Sequence, residues 1–154
     1  MLEVENLWVR YGTVEAVRGV SFSVPAGSIV SLIGANGAGK TTSLRALTGL
    51  VKPGGGELRF ENTSLVGLAP HQVVSLGIAH VPEGRRLFPK MTVLENLTMG
   101  AYRRSRAEIA STVAMIYEHF PILKECGRQL AGSVVDELAA RAGLPGWQQH
   151  RQGI

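Results

Sequence analysis

Apolar and polar positions alternate over the first two dozen residues. Leu2 and Val4 share one face of an extended chain, the register breaks near Asn6, and Leu7, Val9 and Tyr11 carry the apolar side onward. Val20, Phe22 and Val24 then alternate with serines, which predicts two strands of a half-exposed antiparallel sheet. After the turn Pro25-Ala26-Gly27, the run Ser28-Ile29-Val30-Ser31-Leu32-Ile33 is almost continuously apolar and β-branched. That composition suits a strand buried on both faces, so a central parallel strand is expected here. Residues 40–50 have helical spacing at Leu44, Leu47 and Thr48, and Lys52-Pro53-Gly54-Gly55-Gly56 forbids continuation.

A short strand follows at 57–61, a helical turn or two at 70–76, and a second short apolar run at 78–81 stopped by Pro82. Thr92-x-x-Glu95 is a capping box that opens a helix through about Gly100, and Ser105-x-x-Glu108 opens another. The second helix places Ile109, Val113, Ile116, Tyr117 and Phe120 on one stripe and stops at Pro121. Ser133 is the candidate cap of a last helix that closes at Gly143 and Pro145. Strands first, then strand, loop and helix, then helices, describe a mixed α/β domain with a helical appendage.

Composition narrows the class. A chain of 154 residues, 45% hydrophobic and 18% charged, is that of a folded domain and not of a disordered or fibrous one. A single cysteine, Cys126, excludes an internal disulfide framework and fits a reducing compartment. No apolar run reaches the ~18 residues needed to cross a bilayer, and MLEVENLW is unlike a signal peptide, so no direct membrane insertion and a cytoplasmic location are expected. The formal charge of +4 suits an anionic ligand but is spread thinly. Arg103, Arg104 and Arg106 have no interleaved aromatics and read as a solvated helix entrance, so no nucleic acid is expected. The four histidines have no metal-ligand spacing.

The glycines carry the chemistry. Gly34-Ala35-Asn36-Gly37-Ala38-Gly39-Lys40-Thr41-Thr42 matches G-x-x-x-x-G-K-[ST] between an apolar run and a helix. Such a loop turns successive backbone N–H groups inward as an anion nest, and the helix adds its positive end. Lys40 is the candidate for the β- and γ-phosphate oxygens, the Thr41 hydroxyl for a Mg²⁺ bridging them, and Thr42 for the α-phosphate. A triphosphate such as ATP is the ligand class, although the loop alone does not say which reaction follows. Tyr11, about two dozen residues ahead of the loop, either stacks on the purine or is an ordinary sheet aromatic.

Together with this loop, Tyr11-Gly12, Lys52-Pro53-Gly54-Gly55-Gly56-Glu57-Leu58 and the stretch from Gly77 to Leu97 resemble the ATP-binding subunit of ABC transporters. The segment VPEGRRLFPKMTVLENL is similar, more narrowly, to subunits that drive branched-chain amino acid import. The resemblance implies a P-loop NTPase core with an N-terminal antiparallel β subdomain and the start of a helical subdomain, an α/β fold. It divides residues 1–133 into an antiparallel part (1–27), a P-loop core part (28–82) and a coupling-loop and helical part (83–133), with 134–154 as a divergent tail. It also implies that Glu83 sits at a hinge near Mg²⁺ and the γ-phosphate as the coupling residue, where the competing account is a solvated loop carboxylate. Phe88, Pro89 and Met91, flanked by Arg85, Arg86 and Lys90, would by the same resemblance line a groove for the membrane subunit; capping the domain's own core is the other account. Partners implied are transporter membrane subunits and a second ATP-binding subunit, on the inner face of the plasma membrane.

After Ser133 the chain reads Val134-Val135-Asp136-Glu137-Leu138 where the family has its Leu-Ser-Gly-Gly-Gln-like signature, and no four-residue apolar run followed by Asp-Glu occurs after Gly39. Those carboxylates would hold Mg²⁺ through water and orient the attacking water, so very poor hydrolysis by this chain alone is expected. The neighbours of residues 28–33 in the sheet would be missing with them, leaving that strand's polar edge and apolar faces unpartnered. The rival functions are a non-catalytic nucleotide-binding fragment and a soluble ABC-type ATPase acting on DNA or ribosomes, the latter disfavoured by the transporter-like segment.

Overall fold

The computed structural model describes residues 1–84 and 86–141. Arg85, the Gly143 and Pro145 helix stop, and the tail with His150 lie outside the described residues. The elements are β1 (Leu2–Tyr11), β2 (Val14–Val24), α1 (Lys40–Leu47), β3 (Gly55–Phe60), β4 (Thr63–Ser64), α2 (Pro70–Ser75), α3 (Val93–Gly100), α4 (Arg106–His119), α5 (Pro121–Glu125) and α6 (Ala131–Arg141). They form two compact units that divide between Val81 and Pro82.

The first unit is an antiparallel sheet in the order β2-β1-β3-β4. β1 is one of its two inner strands, and the register break expected near Asn6 is there. Pairing with β2 shifts between Val4 and Leu7, Asn6 holds φ 49°, and its N–H donates to Ser21 Oγ at 2.8 Å. One residue of slip moves a strand's side chains to the opposite face, so the break is what lets Val4 and then Leu7 and Val9 all reach the core. Asparagine adopts this left-handed conformation more readily than most residues. The strand expected at 57–61 is β3, and it is the second partner of β1, with Leu58 opposite Val4 and wholly buried.

α1 packs on β1 and β2 and adds Ala46 and Leu47 to the core of Val4, Leu7, Val9, Val17, Leu58 and Leu65. Its buried stripe differs from the expected one. Ser43, Ala46 and Leu47 face inward, Thr48 is half-buried and Leu44 is exposed, because the helix starts so close to the sheet that small side chains must occupy the contact. The helix also ends three residues early. Gly49 at φ 71° donates to Ala46 O (3.2 Å) and Leu50 N–H to Arg45 O (2.9 Å), the paired bonds of a Schellman stop. A Cβ on Gly49 would lie 2.7 Å from Leu68 O, so the position needs glycine twice over.

The central parallel strand expected at 28–33 is not formed. No strand among the described residues pairs with it, and Ile29 and Ile33 are 98% and 93% exposed. A strand apolar on both faces is held by neighbours on either edge and by layers above and below, and an antiparallel sheet built from hairpins supplies neither. The run at 78–81 is likewise no strand: Val81 is 92% exposed, while Ile78 packs partly against the first core.

The second unit holds α3 to α6 around Val93, Cys126, Ala131 and Val134, with Leu87, Leu97 and Leu123 packed alongside. Both capping boxes form, at Thr92 with Glu95 and at Ser105 with Glu108. Along α4, Ile109, Val113, Ile116 and Tyr117 are half-buried and Phe120 is exposed. Pro121 ends α4 and is itself the first residue of α5. α6 begins at Ala131, ahead of the expected Ser133 cap, because the N–H groups of Ala131 and Gly132 find Met91 O (2.9 Å) and Pro89 O (3.2 Å). No helix among the described residues is long and apolar enough to cross a membrane.

Leu58 joins β1, β3 and the first core, so Leu58→Ala is expected to lower unfolding free energy by about 2–5 kcal/mol in urea titration. A loss below about 0.5 kcal/mol would show that the sheet face is not packed as described.

Candidate functional site

The loop between Ile33 and α1 is shaped by its glycines. Gly37 and Gly39 hold φ of 83° and 86°, and Ala38 N–H donates to Ala35 O at 3.1 Å across a tight turn. Gly39 is the N-cap of α1. A Cβ there would stand 2.5 Å from Ala16 O and 2.9 Å from Val17 Cγ2, so only glycine lets the helix start against β2. The first bond of the helix runs from Ser43 N–H to Gly39 O (2.8 Å), and the buried Ser43 hydroxyl donates to the same oxygen at 3.0 Å.

The N–H groups of Lys40, Thr41 and Thr42 precede that bond and have no acceptor within the helix. No side chain caps them, and the first turn carries no acid. A helix start with bare amides and no balancing carboxylate attracts anions. The Lys40 ammonium donates to Gly34 O (2.6 Å) and Ala35 O (2.8 Å), the loop's own opening carbonyls. Gly34, Asn36, Gly37, Ala38 and Thr41 are exposed, and Thr42 is half-buried.

Tyr11 is the last residue of β1, paired with Val14 and 45% exposed. Its hairpin continues directly into Ala16 and Val17, the residues that Gly39 abuts. Tyr11 and the glycine loop are therefore set by one short stretch of backbone. Ser43 was not among the residues singled out by sequence, although its place four residues beyond the N-cap glycine is a usable signal.

The remaining candidates lie in the second unit. Glu83 is exposed in the turn with Gly84, immediately after the division between the units. Phe88 is 54% exposed, Pro89 and Lys90 are exposed, and Met91 is half-buried. Asn96, which sequence reasoning missed, organises this loop. Its Oδ1 accepts from Phe88 N–H (2.8 Å), and its Nδ2 donates to Phe88 O (3.0 Å) and Thr92 O (2.9 Å). The only hint was an amide side chain one position after a capping glutamate. Further on, Val93 and Leu94 N–H groups donate to Gln129 O and Gly127 O at 3.0 and 2.9 Å, so the loop's far end is tied to the chain entering α6. Arg104, in the basic cluster, pairs with Glu108 at 3.5 Å.

Glu95 closes the α3 cap: its Oε2 accepts from Thr92 N–H at 2.7 Å and Thr92 Oγ1 at 2.8 Å. The Thr92 backbone donor, then its hydroxyl, hold the Glu95 carboxyl below its ordinary value of 4.5, against a smaller opposing effect of desolvation. The Thr92 and Ser105 caps act alike, with the Ser105 N–H foremost in lowering Glu108.

A glycine-rich turn leading into a helix with bare amides is the phosphate-binding element of a P-loop nucleotide-binding domain. The ABC transporter family model matches residues 17–151, and the chain belongs to that family. It is 42% identical over 134 residues to the high-affinity branched-chain amino acid transport ATP-binding protein BraG of Pseudomonas aeruginosa, covering 87% of this chain and 58% of BraG. It is 36% identical over 146 residues to LivG of Salmonella typhimurium, a protein of the same description, covering 84% of this chain and 57% of LivG. A solved ATP-binding subunit of an ABC transporter matches with a TM-score of 0.73 at 30% identity, over 84% of this chain and 54% of its own. The chain thus spans a little over half the length of these relatives. Its fold class is theirs, and the family match continues past residue 133, where the motif resemblance stops.

Because the native Glu95 carboxyl titrates below its unfolded value, the stability it contributes is present above about pH 4.5 and is lost as pH falls through the lowered value. Glu95→Ala should therefore lower Tm at pH 7, and the gap from the parent should close in acid. A gap that persists unchanged at pH 3 would contradict the capping account.

Proposed function

We propose that this chain supplies the nucleotide-binding part of an ABC importer's ATP-binding subunit, with branched-chain amino acids as the transported class. The observation that carries the reading is the uncapped start of α1, where the amides of Lys40, Thr41 and Thr42 follow the loop from Gly34 to Gly39. In this reading the triphosphate of ATP takes those amides and the loop's own, Gly34, Asn36, Gly37, Ala38 and Gly39 forming its wall. Lys40 exchanges two carbonyl partners for phosphate oxygens, and Tyr11 meets the base. The substrate class rests on BraG and LivG, whose descriptions name branched-chain amino acid transport.

Mg²⁺ is the metal the family implies. The donor set fits an ion that keeps several waters and is shared with phosphates: Thr41 offers one hydroxyl, and among the described residues no group of three His, Cys, Asp or Glu could hold a metal. Bound there, it would neutralise charge building on the phosphates. Glu83, at the junction of the units, is the coupling residue of this reading, and Phe88, Pro89 and Met91 face transporter membrane subunits. A second ATP-binding subunit completes the assembly on the inner face of the plasma membrane. The 154 residues bring phosphate binding without the carboxylates that position attacking water, so the chain alone binds ATP and turns it over very slowly.

Removing the Lys40 ammonium takes away charge-assisted hydrogen bonds of about 1.5–3 kcal/mol, roughly 10- to 150-fold in affinity. Lys40→Ala should weaken binding of a fluorescent ATP analogue with Mg²⁺ by that factor, and unchanged affinity would discard the site. ATP turnover by the parent chain should not exceed that of Lys40→Ala; a clear excess would show that the chain holds a complete hydrolytic centre. Co-expression with branched-chain importer membrane subunits should bring the chain down with them, whereas recovery on ribosomes or DNA alone would favour the soluble ATPase.

A further inference from the structure

We infer that Asn96 is a positioning residue, whose carboxamide fixes the backbone at Phe88 so that the exposed ring is held ready for a membrane subunit. The inference deepens the reading of Phe88 as a partner-facing residue and rests on it. Leu87 packs against the second core, whereas Phe88 beside it is 54% exposed and Pro89 and Lys90 are exposed as well. The chain reverses here. Met91 N–H donates to Phe88 O at 3.1 Å, with Pro89 second in the turn, where its fixed φ is favoured. Pro89 O and Met91 O are taken by the N–H groups of Gly132 and Ala131. Main chain thus fastens the far side of the turn, and Asn96 fastens the side that carries Phe88.

The half-buried Asn96 side chain is turned wholly to this loop. Its Oδ1 accepts from Phe88 N–H at 2.8 Å, and its Nδ2 donates to Phe88 O at 3.0 Å and Thr92 O at 2.9 Å, with Met91 O at 3.4 Å. An N–H must meet an oxygen and a carbonyl must meet a donor, so the orientation of the amide is fixed. A carboxylate of the same shape would set an oxygen against Phe88 O and Thr92 O. The start of α3 has no need of this side chain. Thr92 and Glu95 form its capping box, Val93 and Leu94 N–H groups reach Gln129 O and Gly127 O, and the backbone N–H of Asn96 makes its helical bond to Thr92 O at 3.0 Å. Asparagine is also a poorer helix former than alanine, so the loop and not the helix explains its place in the first turn. A solvent-exposed aromatic ring on backbone ordered in advance is what an interface anchor requires, because the entropy of ordering the loop is met on folding rather than on docking.

The test compares the 154-residue chain with Phe88→Ala, Asn96→Ala, Asn96→Asp and the double variant Phe88→Ala/Asn96→Ala, each co-expressed with branched-chain importer membrane subunits. Phe88→Ala should lower capture by about tenfold or more, and each Asn96 variant by about tenfold. The double variant should be captured as well as Phe88→Ala, because Asn96 acts through that ring. In the free chain, amide exchange at Phe88 should quicken by about tenfold in Asn96→Ala, while Val93 and Leu94 stay protected. A merely structural role would release all three amides and would add its loss to that of Phe88→Ala. No capture of the parent, or normal capture of Phe88→Ala, would overturn the reading of Phe88 and the inference with it. Loss with Phe88→Ala but normal capture of both Asn96 variants, a further loss in the double variant, or release of Val93 and Leu94 together with Phe88 would overturn the role of Asn96 while the reading of Phe88 stands.

Discussion

The approach of Gly39 to the backbone of Ala16 and Val17 is the constraint on which the first unit turns. It sets where α1 begins, and the absence of a side chain there lets the helix meet β2 with its first amides still unspent. The same closeness selects Ser43 and Ala46 for the helix face against the sheet, where a larger pair would hold the two apart. A local steric fact thus becomes an electrostatic one: a helix start with no side-chain cap and no acid in its first turn is a place for a multiply charged anion.

The two cores differ in how much of their own structure they supply. The sheet of β1 to β4 is finished by hairpins and by α1, and its buried side chains come from a contiguous set of elements. The second core is tied together by its loop as much as by its helices, with Asn96 holding Phe88 and Thr92, and the chain at 127–132 bonded to the segment that precedes α3. Between sheet and loop chemistry stands the run at 28–33, which has the composition of a buried strand and the exposure of an open one.

Much of this was legible in the residues. The break at Asn6, both capping boxes and the glycine loop each have a local cause, and local causes are what a single sequence displays. Long-range effects were not visible. α1 stops at Leu47 with Gly49 behind it, ahead of the stop that Pro53 predicts, and spacing alone cannot reveal how near the sheet lies or which stripe of α1 it buries. The strand at 28–33 was named from its composition, yet a parallel strand exists only through its neighbours. Asn96 and Ser43 escaped notice because a side chain that satisfies backbone groups leaves no periodic trace.

The most direct measurement is the response of individual backbone amides to Mg-ATP, followed by ¹H–¹⁵N spectra of the labelled chain. The account requires the largest shifts at Gly37, Gly39, Lys40, Thr41 and Thr42, saturating together with a single affinity. Saturable shifts elsewhere with these five amides unmoved, or no shifts at all at millimolar nucleotide, would contradict it.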